Sequence, residues 1–150
     1  MVKIDMKDAF FHVRLAKESR HLASFQWMGR SYEFRAMCFG LGPAPRIFTK
    51  LGKVPIAILR LWGIRLIIYL DDIIVFAKSK AELCEARDLT ISLLTRLGFT
   101  INSAKSILTP VQKLVYLGIA IDSVNMTFEL PPEKTEELIA LCNEIILKNL

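Results

Sequence analysis

Cysteine and histidine are scarce in this chain, and neither is spaced for chemistry. Cys38, Cys84 and Cys142 are odd in number, far apart and without a C-x-x-C pair. That excludes a disulfide framework and offers no zinc-ligand spacing. The two histidines, His12 and His21, have no Cys/His cluster around them and fit structural roles. Uncharged apolar runs are also missing: the longest apolar tract, residues 54–77, is interrupted by Arg60, Arg65, Asp71 and Asp72, which excludes a transmembrane helix. Lys3, Asp5, Lys7 and Asp8 stand where a signal peptide would be apolar. An intracellular protein, cytoplasmic or nuclear and without a membrane partner, is expected. No repeat, linker or low-complexity run occurs.

What is present is a core. With 150 residues, 53% of them hydrophobic, and a mean hydropathy of +0.38, the chain suits one domain with a sizeable interior. Its charge is unevenly placed. Residues 1–65 hold 12 basic and 4 acidic residues, residues 66–150 hold 8 and 11. A positive first half leading into an acidic pair suggests a polyanionic partner such as nucleic acid, although a net charge of +5 also fits ordinary solvated lysines and arginines.

The alternation at residues 2–6 predicts a short strand, and Asp8 can open a turn of helix through Ala9, Phe10 and Phe11. Strands are expected over 22–27 and 31–34, joined by a turn at Met28-Gly29-Arg30. Gly40-Leu41-Gly42-Pro43-Ala44-Pro45 breaks this pattern and leads into a helix over 45–61, with a kink or break expected at Pro55. Residues 64–69 and 72–77 read as a hairpin. Ser79-Lys80-Ala81-Glu82 is a capping-box pattern opening a helix that Gly98 ends. Strands are expected around 99–101, 114–117, 119–122 and 126–130, and Pro131-Pro132 introduces a last amphipathic helix. This order describes an α+β sheet with helices packed on one face.

The hairpin turn is Tyr69-Leu70-Asp71-Asp72, two adjacent carboxylates between apolar runs. Two aspartates can occupy an ordinary solvated turn; alternatively a cation meets them, because burying an ionised carboxylate without a counter-charge is costly. The end of the first strand can lie beside this turn, bringing Asp5 next to Asp71 and Asp72. Three carboxylates gathered in this way call for Mg2+ or Mn2+. Two such ions about 3.5–4 Å apart would activate an attacking oxygen and neutralise a leaving pyrophosphate, which is nucleotidyl transfer.

Several stretches together resemble the reverse transcriptases. Residues 3–15, Lys-Ile-Asp-Met-Lys-Asp-Ala-Phe-Phe-His-Val-Arg-Leu, resemble the first palm motif, and Tyr69-Leu70-Asp71-Asp72 matches the family's Tyr-x-Asp-Asp motif. Residues 39–48 look like the second motif and residues 98–106 like the fourth, while Tyr116-Leu117-Gly118 sits where the primer grip is expected. Residues 39–50 and Leu130-Pro131-Pro132-Glu133-Lys134 look like retrotransposon enzymes of the DIRS or tyrosine-recombinase kind, with gypsy and retroviral groups next.

This resemblance implies an antiparallel, ferredoxin-like palm sheet with helices on one face over residues 1–131, partial fingers at about 16–36, and the opening helix of a thumb over 132–150. It implies an RNA-directed DNA polymerase that transfers dNMP to a primer 3′-OH on an RNA or DNA template. Asp5, Asp71 and Asp72 would hold two Mg2+ or Mn2+ ions with the Met6 carbonyl, and Lys105 would protonate the pyrophosphate. Asp8, Ala9, Phe10, Phe39 and Gly40 would meet the dNTP, Phe10 closing against the sugar and Phe11 serving as packing. Arg46 is either a phosphate contact or an exposed first-turn arginine. Where many retroviral enzymes carry Pro-Gln-Gly, this chain has Cys38-Phe39-Gly40, so the glutamine's polar contact has no counterpart. The family's N-terminal fingers, most of the thumb and the RNase H parts of a larger polyprotein are not within these 150 residues. The alternative expectation is a non-catalytic remnant that keeps the fold and weak nucleic-acid binding.

Overall fold

The structure, a computed structural model, describes residues 1–148. In chain order its elements are β1 (Val2–Asp5), β2 (Ser24–Trp27), β3 (Arg30–Glu33), α1 (Ala44–Leu61), β4 (Arg65–Tyr69), β5 (Asp72–Phe76), α2 (Lys80–Arg96), β6 (Lys113–Tyr116), β7 (Ile119–Asp122), β8 (Thr127–Glu129) and α3 (Pro132–Lys148). Short 3-10 helices span Ala9–His12 and Lys17–Ala23. The chain forms two compact units, residues 2–110 and residues 111 onward together with Met1. No helix among the described residues is long and apolar enough to cross a membrane.

The first unit is built on an antiparallel sheet in the order β1-β5-β4. Alternation sorts its side chains: Val2, Ile4, Leu66, Ile73 and Val75 turn to one face and are buried with Phe48, Ile56 and Leu59 of α1 and Leu83, Ala86 and Leu94 of α2. Both helices therefore lie on one face, as expected. The register pairs Asp5 with Asp72 across β1 and β5, and Tyr69 with Asp72 across β4 and β5. Directly opposed residues share a face, so these three belong to the face away from the helices.

Among the described residues this sheet lacks the complete fourth strand expected of a ferredoxin-like arrangement. The strand expected around 99–101 is only an isolated bridge, Met6 to Ile101, followed by a second bridge, Lys3 to Ile107. Between them the chain bulges away and back, with Asn102 N–H donating to the Asp5 carbonyl at 2.8 Å and the Ser106 hydroxyl accepting the Asp5 N–H at 2.9 Å. This interrupted strand satisfies the free edge of β1 while projecting residues 102–106 beside Asp5, a common use of irregular pairing near functional sites.

Local signals explain most element ends. Ser79 Oγ accepts the Glu82 N–H at 3.2 Å, whereas the Glu82 carboxylate reaches the Lys78 N–H instead of that of Ser79. At the other end of α2, Phe99 N–H donates to Leu94 and Gly98 N–H to Thr95, the paired bonds of a Schellman cap, with Gly98 at φ +92°. Helix α1 runs unbroken through Pro55. Its apolar face, from Phe48 to Leu59, is fixed to the sheet on both sides of the proline, and this packing outweighs the missing hydrogen bond. The β2–β3 hairpin turns at Met28-Gly29, both at positive φ. Its first strand is shorter than the expected 22–27 because residues 17–23 form the 3-10 helix, while the second has the expected length, shifted by one residue.

The second unit carries a β6-β7-β8 antiparallel sheet and α3. Its β6–β7 loop is Leu117-Gly118, again with positive φ at both positions, the backbone of a type I′ turn. Amides of Asn125 and Val124 hold the Asp122 carboxyl below the usual carboxylate range.

Candidate active site

Asp5 is the last residue of β1 and is only 8% exposed. The chain leaves the sheet immediately after it, and the Met6 N–H donates to the Asp71 carbonyl at 2.9 Å. That bond ties the end of β1 to the β4–β5 loop, Leu70-Asp71. Both acids consequently line one cleft of about 270 Å3. Met6, Lys7, Asp8, Ala9 and Phe10 form one wall, Phe39 and Leu70 another, and Asn102 and Lys105 close it from the bulged segment.

Leu70 adopts φ 52°, a conformation that costs a non-glycine residue roughly 1–2 kcal/mol. Such strain tends to collect at functional loops, and here it sits between Tyr69 and the two acids. Asp8 is likewise left-handed at φ 52° and precedes the 3-10 turn without capping it through its side chain.

Burial pushes the Asp71 carboxyl up, with repulsion from Asp72 and Asp5 adding to the shift; a backbone hydrogen bond and the Lys105 ammonium oppose it. An all-oxygen pair of carboxylates whose ionised forms repel one another suits a hard divalent cation. Asp72 differs from the other two. It does not line the cleft; its Oδ1 lies 3.0 Å from Lys3 Nζ, with both side chains largely covered. Among the described residues no three acidic, histidine or cysteine side chains form a metal-holding group. Of the three carboxylates expected to gather, Asp5 and Asp71 thus line the cleft, while Asp72 is held by a lysine on the same sheet face.

The aromatic expectations change in part. Phe10 lines the cleft, as expected of a wall residue, but it also packs on the core, edge to face with Phe48 at 5.7 Å and Phe39 at 5.4 Å. Phe11, expected to be the packing residue, is 40% exposed and touches Phe34 and Phe39. The 3-10 geometry turns the first ring inward and leaves the second at the rim. Gly40 has φ +88° and open space around its Cα, and it is not among the residues lining the cleft. His12 has the structural role expected: its Nε2 accepts the Thr100 N–H at 3.2 Å and its ring rests on Phe99.

Three features of the site go beyond the sequence-based expectations. Asn102 and Lys7 line the cleft, and both lie inside the motif stretches, so spacing alone could have marked them. Lys3 as the partner of Asp72 was readable only from strand register. A basic groove also runs beside the site: Arg46, Thr49, Lys50 and Lys53 of α1 face Ile68, Tyr69 and Leu70 across about 510 Å3. It adjoins a second hollow of about 460 Å3 that Lys53, Arg60 and Leu70 share. Tyr116, Leu117 and Gly118 belong to the second unit.

A family model described as reverse transcriptase (RNA-dependent DNA polymerase) matches residues 1–121. The enzymatic polyprotein of Cauliflower mosaic virus (strain NY8153) is 29% identical over 118 residues, covering 79% of this chain and 17% of the polyprotein. The Gag-Pol polyprotein of Avian leukosis virus subgroup A is 30% identical over 132 residues, covering 82% and 8%. The chain thus spans under a fifth of these polyproteins. Among solved structures, the foamy viral protease-reverse transcriptase in complex with RNA/DNA hybrid superposes with a TM-score of 0.78 at 21% identity, covering 91% of this chain and 18% of that one. A form of the same viral protein in complex with double-stranded DNA gives 0.80, again at 21% identity, covering 91% and 23%.

Proposed function

This chain belongs to the reverse transcriptase (RNA-dependent DNA polymerase) family, and from that membership we propose that it is the palm portion of a polymerase that adds dNMP to a primer 3′-OH on an RNA or DNA template. The observation that carries the reading is the single cleft in which Asp5 and Asp71 meet Lys105 and Phe10. When bound, divalent cations, two of Mg2+ or Mn2+, neutralise the attacking oxygen and the leaving pyrophosphate. Asp5 and Asp71 would hold them with the Met6 carbonyl, Asp72 contributing as the third acid.

The remaining groups bind and orient. The backbone of Asp8 and Ala9 lines the cleft where a triphosphate would lie. Phe10 would serve as a wall against the sugar, and Phe39 would extend that wall in place of a polar contact. Gly40, with no side chain, lets backbone approach the template or incoming base. Lys105 keeps an ammonium near Asp71 and is placed to give a proton to pyrophosphate. Arg46, Lys50 and Lys53 form a cationic edge for a phosphate backbone, consistent with foamy viral neighbours bound to RNA/DNA hybrid and double-stranded DNA. Tyr116, Leu117 and Gly118 would be the primer grip, their type I′ turn giving a rigid tip. On this reading residues 1–131 are palm with partial fingers and the helix from Pro132 opens a thumb, while a larger polyprotein supplies the other parts. The wording of residues 39–50 supports a retrotransposon origin of the DIRS kind.

Primer extension by the chain with Mg2+ or Mn2+, beside an Asp71→Asn, Asp72→Asn control, tests the proposal. Metal-dependent incorporation above the control is expected. Incorporation no higher than the control would leave the other reading, a non-catalytic polymerase remnant.

A further inference from the structure

Lys3 lies two residues before Asp5 on β1 and therefore points to the same face of the sheet. Its partner across the register is Ile74, while Asp5 faces Asp72. Lys3 is thus diagonal to Asp72, within reach of a long side chain, and the observed separation of Nζ from Oδ1 is 3.0 Å. The pair is well covered, with side-chain exposures of 19% and 23%. At the cleft itself Lys105 acts on Asp71. Lys105 thus acts on one of the acids that line the cleft, and Lys3 pairs with Asp72, which does not line it.

We propose that Lys3 is a positioning residue that withholds Asp72 from the first divalent cation, so that Asp5 and Asp71 with the Met6 carbonyl hold this cation and Asp72 joins as the third acid only when Lys3 moves. The inference rests on the metal-binding reading of the cleft and adds a division of labour within it. An ion pair this well covered is screened by solvent and salt less than a surface pair, so its attraction holds the geometry better. Asp72 is then a reserve ligand whose release requires Lys3 to move.

The test is Mn2+ binding to the full chain without nucleotide, followed by electron paramagnetic resonance of the free ion. Five proteins are compared: the natural chain, Lys3→Met, Asp72→Asn, the double variant, and Lys3→Arg as the conservative rescue, with circular dichroism to verify folding. Lys3→Met should bind Mn2+ about tenfold more tightly, the scale on which a single neighbouring charge acts. Asp72→Asn should bind within about twofold of the natural chain, on the same scale. In the double variant the gain should vanish, and Lys3→Arg should behave as the natural chain does. A gain that persists in the double variant would show only a general field effect and would overturn the proposal. So would a tenfold loss in Asp72→Asn alone, since Asp72 would then already be a ligand. Absence of Mn2+ binding in every protein, by contrast, would sink the metal-site reading itself. For Lys3→Met that misfolds, urea unfolding of Lys3→Gln, Asp72→Asn and their double variant in EDTA still decides: additive effects of the two would mean the pair is not coupled and overturn the proposal.

Discussion

Asp71 combines burial with two like charges nearby, and its carboxyl is raised above the ordinary 3.8. The folded chain therefore binds a proton more readily than the unfolded chain does. Stability from this group is complete below the unfolded value of 3.8 and is lost as pH rises through the raised folded value. In EDTA at neutral pH, Asp71→Asn should accordingly melt at a higher temperature than the natural chain, the difference shrinking as pH falls below 3.8; Mn2+ should raise the melting temperature of the natural chain but not of the variant. Leu70 makes a second case. Because asparagine tolerates the left-handed region better, Leu70→Asn should leave thermal stability equal or higher. It should also weaken nucleotide binding, since Leu70 forms part of the cleft wall and of both neighbouring hollows.

Helices α1 and α2 hold the sheet from one side, and each offers a clean measurement. Ser79→Ala removes the oxygen that accepts the Glu82 N–H and should cost about 1 kcal/mol in urea unfolding. Gly52 lies inside α1, where a Cβ would meet Ile68 Cδ1 at 3.6 Å, an ordinary contact. Gly52→Ala should then gain about 1 kcal/mol by helix propensity, again read from the urea midpoint. The caps of α2 were legible because the capping box and Gly98 are local signals. Continuity of α1 through Pro55 was not legible, because long-range packing of Phe48 and Leu59 decides it. The failed strand at 99–101 has a local origin instead: the residues are strand-like, but Gly98 ends a helix just before them and Asn102 turns the chain just after.

Across the whole molecule the charge asymmetry becomes a surface. Arg46, Lys50 and Lys53 recur at helical spacing and line a groove next to the strained loop. Replacing all three by glutamine should weaken binding to primer–template duplexes of any sequence. It should also lower the slope of log affinity against log salt by about 3, one for each phosphate no longer neutralised. A filter-binding series between low and moderate salt measures both. An unchanged slope would mean that the groove does not carry the backbone. Charge counting pointed to a polyanion but could not say which of 12 basic residues in the first half would share a face.

The amino-acid sequence alone pointed to the family, the α+β class and the candidate acids, because the information lies in short spacings: Asp5 at a strand end, Asp71 and Asp72 in a tight hairpin, Gly98 after a helix. Tertiary structure decided what those acids do to one another. Only the β1-β5-β4 register sets Lys3 diagonal to Asp72, and only the Met6–Asp71 backbone bond and the bulge at 102–106 bring Asp71, Asp5 and Lys105 to one cleft. The reason is physical. A strand's alternation states which residues share a face, whereas the partner strand's register, fixed by packing over the whole core, states which charges meet.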